Sequence, residues 1–117
     1  MSQVTIYHNP RCSKSRQALE LLENQGADIQ VVRYIEEPLS NAALSELLLM
    51  LDISARELMR KGEDVYQELK LDNPELSEAQ LVQALADYPR LIERPIVVRD
   101  GKAVIGRPPE KVLELFA

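Results

Sequence analysis

A short strand pattern that gives way to a helix pattern at a cysteine constrains this chain more than any other feature. Val4–Tyr7 is β-branched or aromatic and predicts a strand, which Pro10 interrupts. Beyond the break, apolar residues recur at the spacing of one helical face until Gly26, which is placed to end the helix in a left-handed turn. The single cysteine, Cys12, therefore lies at or just before the first turn of a helix.

Cys12 is a candidate nucleophile. The unpaired N–H groups of a first helical turn and the helix dipole favour negative charge, and Arg11, Lys14 and Arg16 add cations beside it. We therefore expect the pKa of the thiol to lie below its ordinary value, and the same donors to bind a tetrahedral oxyanion. A lone cysteine is more often a buried, inert side chain, but the polar and turn-forming neighbours of Cys12 argue against a core position.

His8 lies four residues before Cys12 in the same predicted loop. It could pair with the thiolate, carry a proton, or only orient the turn, and the sequence leaves these roles open. One Cys and one His do not make the three or four ligands of a usual metal site, so we expect no metal.

Composition limits the classes of function. The length of 117 residues, with 45% hydrophobic and 28% charged residues, indicates one globular domain over residues 1–117. A net charge of −5 disfavours binding to nucleic acid or to membrane surfaces, and no apolar run approaches the length of a membrane span. The absence of a signal segment predicts a cytoplasmic protein. A single cysteine excludes an internal disulfide, so an oxidised Cys12 needs a thiol from outside, from glutathione or a partner protein.

The remaining patterns predict one α/β domain with a small mixed sheet of four strands flanked by helices. A second strand over Ile29–Ile35 completes a βαβ unit, and a hairpin pairs Ile96–Arg99 with Lys102–Ile105 across Asp100-Gly101. A last helix follows, with Val112, Leu113 and Phe116 on one face. Between the second and third strands, residues from about 40 to 88 form a helical insertion.

Capping residues divide this insertion into four helices. They are a helix from Asn41 to about Leu51 capped by Ser40, a helix opened by Ser54 and ended by Gly62, a short helix near residues 65–70, and a helix from the capping box at Ser77 to about Asp87.

Two arginines stand beside prolines at strand ends. Arg94-Pro95 precedes the third strand and Arg107-Pro108 follows the fourth, where the loops of open α/β sheets build sites. The guanidinium group suits tetrahedral oxyanions, so both arginines are candidate ligands. Arg60 has no comparable local argument.

From Tyr-His-Asn-Pro-x-Cys through Arg-Pro-Ile-Val-Val to Gly-Arg-Pro, the chain resembles the glutathione- and glutaredoxin-dependent arsenate reductases of the thioredoxin-like superfamily. The resemblance implies a thioredoxin-like fold in which Cys12 attacks arsenate and Arg60, Arg94 and Arg107 hold the oxyanion. It further implies that His8 tunes the thiolate and that the peptide bond before Pro95 is cis.

The resemblance also implies a reaction without a bound cofactor. Glutathione, as co-substrate, would attack the arsenic adduct, release arsenite and leave a mixed disulfide on Cys12, which glutaredoxin would reduce. Two alternatives remain open: a glutathione-linked thiol oxidoreductase with another substrate, and a partner-binding protein like a related family of transcription regulators. Ser15 stands where those regulators carry the second cysteine of a redox switch, which argues against a disulfide switch but not against partner binding itself.

Overall fold

The computed structural model describes residues 3–116, so the ends of the predicted 1–117 domain lie outside the described residues. Its contacts divide into two compact units, one of residues 3–37 and 94–116 and the other of residues 38–93. The second unit corresponds closely to the predicted insertion over residues 40–88. The single-domain organisation stays a prediction.

The first unit contains a four-stranded sheet in the order β2-β1-β3-β4. Its strands are β1 (Gln3–Tyr7), β2 (Asp28–Val32), β3 (Ile96–Arg99) and β4 (Lys102–Ile105). β1 runs parallel to β2 and antiparallel to β3, and β4 runs antiparallel to β3. The predicted mixed sheet of four strands is confirmed.

Helix α1 (Ser13–Asn24) packs its apolar face against this sheet. The fully buried side chains at the centre of the cluster come from β1, α1, β3 and the C-terminal segment: Val4, Ile6, Ala18, Leu22, Val97 and Val112. The helix ends at a C-cap residue, Gln25, and Gly26 follows with φ of 69°. This positive φ confirms the left-handed turn predicted for Gly26. Glycine is favoured there because any side chain in this conformation would be strained.

Strand β2 is shorter than predicted, because it ends at Val32 and not at Ile35. Its partner β1 ends at Tyr7, and the ladder closes with the His8 N–H donating to the carbonyl of Val32 at 2.8 Å. The chain then turns, with the N–H of Glu37 donating to the carbonyl of Arg33 at 2.8 Å. High β propensity did not extend the strand because no further β1 residues are available to pair with it.

The hairpin between β3 and β4 is confirmed, since Asp100 and Gly101 adopt φ of 52° and 77°, as a two-residue turn of type I′ requires. The last helix differs from its prediction. Pro109–Phe116 is a 3₁₀ helix, whose three-residue period buries Pro109 and Val112 and packs Leu115 against the core. Of the predicted face, Val112 and Phe116 pack in the core, whereas Leu113 is not part of the core cluster and Leu115 takes its place.

The second unit is helical. It contains α2 (Asn41–Leu51), α3 (Ala55–Leu58), α4 (Asp64–Glu68), α5 (Glu78–Asp87) and a short 3₁₀ turn, Pro89–Leu91. The Ser40 side chain caps α2, and Ser54 and Ser77 form reciprocal capping boxes with Glu57 and Gln80, as predicted. Within residues 3–116, no helix has the length and apolar character needed to cross a bilayer.

Helix α3 ends earlier than predicted, at Leu58 and not at Gly62. The following residue, Met59, is extended and forms a β-bridge with Ile92, while the N–H of Arg60 donates to the carbonyl of Leu91 at 2.7 Å. This pairing with a segment about thirty residues away satisfies the backbone in place of another helical turn.

Gly106 lies where β4 ends, against the proline ring that precedes β3. A Cβ atom at this position would stand 2.8 Å from Cγ of Pro95 and 3.2 Å from Cγ1 of Val112. We predict that Gly106→Ala lowers the free energy of unfolding by about 1–3 kcal/mol, because a well-packed site cannot accept another carbon atom. Urea denaturation at 25 °C measures the difference.

The matched control is Gly62→Ala, where a Cβ atom would meet nothing within 4 Å. This control should leave the stability unchanged or raise it slightly. Equal effects of the two substitutions would contradict the packing argument.

Candidate active site around Cys12

The loop between β1 and α1 presents Cys12 as the N-cap residue of the helix. Its N–H donates to the carbonyl of Asn9 at 3.0 Å, and its carbonyl accepts the first helical hydrogen bond from Arg16. The Asn9 side chain accepts from the N–H of Arg11 at 3.0 Å, and the Arg16 guanidinium donates to the carbonyl of Pro10 at 2.9 Å. These contacts give the Cys12 thiol a defined position at the start of the first turn.

Cys12 is partly exposed and lies among groups that favour its thiolate form. Burial by itself raises the pKa of the thiol. The N–H of Ser15, a hydrogen bond and the positive charge of Arg94, and the N–H of Lys14 outweigh that penalty and bring the pKa of Cys12 below its ordinary value. The predicted direction is thus the direction found, although the charge that lowers the pKa of Cys12 is that of Arg94 and not that of the Arg11, Lys14 or Arg16 side chains.

Arg107 approaches the same sulfur from the end of β4. Its Nη2 lies 3.9 Å from Sγ of Cys12, and its Nε donates to the carbonyl of Arg94 at 2.8 Å. The first contact is long for a hydrogen bond but brings a full positive charge beside the thiolate. Arg94 and Arg107, separated along the sequence, are thereby brought together at Cys12.

The sheet order explains this meeting. β3 lies antiparallel between β1 and β4. The start of β3 and the end of β4 therefore lie at the same end of the sheet as the end of β1. The peptide bonds Arg94-Pro95 and Arg107-Pro108 are both cis. The N–H of Gly106 donates to the carbonyl of Pro95 at 2.8 Å and joins the two segments.

His8 is buried and its Nδ1 lies 2.6 Å from Oγ of Ser15. Burial lowers the pKa of His8, and the positive charges of Arg33 and Arg16 lower it further. The imidazole is therefore neutral near neutral pH, so it does not supply a positive charge to the thiolate.

Arg60 belongs to the helical unit. Its guanidinium forms two ion pairs within that unit, at 3.8 Å to Glu93 and 4.0 Å to Glu63, and its side chain is about one-quarter exposed. The role of Arg60 in binding an oxyanion stays a prediction that rests on the resemblance.

Sequence reasoning missed two residues near this site, Ser15 and Arg33. Ser15 is fully buried and lies three residues before Ala18 and seven before Leu22, on the same apolar face. A polar residue within a buried helical stripe was the available signal. Arg33 follows β2, and its positive charge lowers the pKa of His8, which no local pattern could indicate. Over residues 3–116, no cluster of three or more His, Cys, Asp or Glu side chains could hold a metal ion.

A mixed four-stranded sheet, a cysteine at the N-terminus of the helix after the first strand and a cis proline before the third strand define a thioredoxin-like thiol protein. The chain belongs to the ArsC family, whose sequence pattern matches residues 7–115.

Individual relatives cover almost the whole chain. The uncharacterised protein YfgD of Escherichia coli (strain K12) is 59% identical over 114 residues, which are 97% of this chain and 96% of YfgD. An arsenate reductase of Neisseria meningitidis serogroup A is 49% identical over 113 residues, 96% of this chain and 97% of that protein. The solved structure of an arsenate reductase from Vibrio cholerae is 50% identical, covers 97% of this chain and 98% of its own, and superposes with a TM-score of 0.95. The family resemblance and the thioredoxin-like fold are confirmed.

The arrangement predicts how the reactivity of Cys12 depends on pH. In Arg94→Ala the thiolate loses a hydrogen bond and a positive charge, so the pKa of Cys12 should rise. The pH midpoint for alkylation by iodoacetamide, an uncharged reagent, should move upward, and the rate below the wild-type midpoint should fall severalfold. Because Cys12 is the only cysteine, the loss of free thiol reports this residue alone.

Two further variants serve as controls. Arg94→Lys keeps the charge and should give an intermediate midpoint, whereas Arg90→Ala removes an exposed arginine of the helical unit and should leave the midpoint unchanged. A midpoint in Arg94→Ala equal to that of the wild type would show that Arg94 does not stabilise the thiolate.

Proposed function

We propose that this protein is an arsenate reductase that uses Cys12 as its nucleophile, with glutathione as co-substrate and glutaredoxin as reductant. The observation that carries the proposal is the meeting of Arg94 and Arg107 at a thiolate on a helix N-terminus. Arsenate is a tetrahedral oxyanion, and guanidinium and backbone N–H donors are the groups that bind such anions. Family membership and relatives named arsenate reductase support the same reaction.

The reaction begins with the thiolate of Cys12 attacking arsenic. A sulfur–arsenic bond forms, one arsenic–oxygen bond breaks, and the oxygen leaves as hydroxide, which takes a proton from solvent to become water. The arginines neutralise the oxygens, which reduces the repulsion between two negative reactants. The thiolate of glutathione then attacks the Cys12 sulfur of the adduct. A sulfur–sulfur bond forms and the sulfur–arsenic bond breaks, and the electron pair of the broken bond stays on arsenic, which passes from the pentavalent to the trivalent state. Arsenite leaves, and a mixed disulfide of Cys12 and glutathione remains.

Regeneration of Cys12 must come from outside the chain, which has a single cysteine. A glutaredoxin thiol attacks the glutathione sulfur of the mixed disulfide and releases the Cys12 thiolate, a good leaving group because its pKa is low. We place this cycle in the cytoplasm, where the glutathione pool is reducing.

The proposal predicts arsenate-dependent consumption of NADPH by the purified protein with glutathione, glutaredoxin and glutathione reductase. Cys12→Ser should lose at least about a thousandfold in turnover, because a hydroxyl at this position is not ionised. Phosphate in place of arsenate should give no consumption, because its phosphorus is not reduced by thiols.

Omitting glutaredoxin isolates the mixed disulfide. The intact mass should rise by one glutathionyl group only when arsenate and glutathione are both present, and Cys12→Ser should show no increase. Adduct formation without arsenate, or no turnover despite a reactive thiol, would contradict arsenate as substrate and favour a thiol oxidoreductase with another substrate.

The arginines should differ in their kinetic effects. Arg107→Ala is predicted to lower kcat/KM for arsenate by about 10²–10³, the usual loss when a donor to a developing oxyanion is removed. Arg107→Lys should recover only part, because one ammonium cannot contact both the Arg94 carbonyl and the bound anion. Steady-state kinetics at saturating glutathione measure both.

Arg60→Ala is expected to raise KM for arsenate if this residue binds the anion, and Arg90→Ala, at an exposed position, should leave it unchanged. Unchanged kcat/KM in Arg60→Ala would remove that residue from the oxyanion site.

A further inference from the structure

Two polar side chains in the described part of the chain, His8 and Ser15, are buried, and they contact each other. Nδ1 of His8 lies 2.6 Å from Oγ of Ser15, and the N–H of Asn9 donates to the same Oγ at 3.1 Å. The mechanism proposed above makes no use of the Ser15 hydroxyl. The contact nevertheless joins the loop that carries Cys12 to the first turn of α1.

The hydrogen-bonding groups around the Ser15 hydroxyl determine which atom donates in this contact. A serine hydroxyl has one proton to donate and two lone pairs to accept with. The N–H of Asn9 occupies one lone pair. Ser15 is fully buried, so its hydroxyl proton has no access to solvent, and within residues 3–116 the remaining partner of Oγ is Nδ1 of His8. A buried hydroxyl proton without an acceptor is costly, so the hydroxyl donates to Nδ1.

A nitrogen that accepts this hydrogen bond carries no proton. The proton of the neutral imidazole must then be on the other ring nitrogen, Nε2. The charges that act on His8 agree with a neutral ring: Arg16 from α1 and Arg33 from the segment after β2 are both cations, and both disfavour an imidazolium. Burial acts in the same direction.

We propose that Ser15 is a positioning residue that holds His8 as the neutral tautomer with its proton on Nε2. His8 then has no free lone pair on its ring, because Nδ1 accepts from Ser15 and Nε2 is protonated. It can donate a hydrogen bond but cannot accept the proton of Cys12 in this state. Of the roles that the sequence left open, the proposal excludes a histidine base and leaves the thiolate to the backbone N–H groups and Arg94.

Ser15 thereby acts twice on the same loop. Its backbone N–H favours the thiolate of Cys12, and its hydroxyl orients the histidine four residues earlier. The consequence for arsenate reduction rests on the proposed function, whereas the tautomer of His8 does not depend on any substrate.

Nitrogen-15 NMR of histidine-labelled wild-type protein tests the proposal directly, because His8 is the single histidine of the chain. Long-range correlations from the ring carbon-bound protons identify which nitrogen is protonated. We expect Nε2 protonated and Nδ1 unprotonated near neutral pH. A proton on Nδ1, or a charged ring under the same conditions, would overturn the assignment.

Variants then test whether Ser15 is the cause. In Ser15→Ala the ratio of the two neutral tautomers should fall by about fivefold or more, the worth of one buried hydrogen bond. The titration of His8 should also move upward, because the neutral ring loses its donor. Ser15→Thr restores a hydroxyl and should restore the ratio, while Ser13→Ala removes an exposed hydroxyl from the same helical turn and should change neither.

A wild-type ratio retained in Ser15→Ala would show that Ser15 does not set the tautomer. If Ser15→Ala fails to fold, the wild-type spectrum still tests the proposal, because a proton on Nδ1 excludes donation from the Ser15 hydroxyl. No arsenate enters these measurements, so a failed arsenate assay and a failed tautomer assignment are distinguishable.

Discussion

The site depends on one electrostatic balance, the charge on Cys12 at the N-terminus of α1. Partial burial of the sulfur works against that charge. The N–H groups of the first helical turn and the Arg94 guanidinium outweigh it, and the pKa of the thiol falls. Without this balance the cysteine would be a neutral thiol near neutral pH, and a neutral thiol is a much weaker nucleophile than a thiolate.

The sheet supplies the cations for this balance. Antiparallel pairing of β3 with β1 and β4 puts the start of β3 and the end of β4 beside the end of β1. Arg94 and Arg107 flank the hairpin at these points. Nε of Arg107 donates a hydrogen bond to the carbonyl of Arg94, and this contact orients the Arg107 guanidinium. Gly106 lets the two segments approach, because any larger residue would meet Pro95. The packing of Gly106 against Pro95 and the positions of the two arginines therefore depend on each other at one end of the sheet.

Local patterns predicted the elements whose signals lie within a few residues. The Asp100-Gly101 turn, the left-handed Gly26 and the capping boxes at Ser54 and Ser77 each follow from short-range geometry, and each is present. The errors arose where distant residues compete for the backbone. β2 ends where β1 can no longer pair with it, and α3 ends early because Met59 pairs with Ile92. In the C-terminal segment, packing selects a 3₁₀ period over the α-helical one.

The sequence by itself determined the chemistry available to this protein: one thiol, without a second cysteine to form an internal disulfide, placed at a helix N-terminus that favours its ionised form. It also placed two arginines at strand ends, because their neighbouring prolines and the hairpin are local signals. Only the tertiary structure decided which cation acts on the thiolate and which side chain holds His8. Arg94 is more than eighty residues from Cys12, and Ser15 meets His8 across a turn. Such contacts depend on strand order and on burial, and neither is encoded within a short stretch of chain.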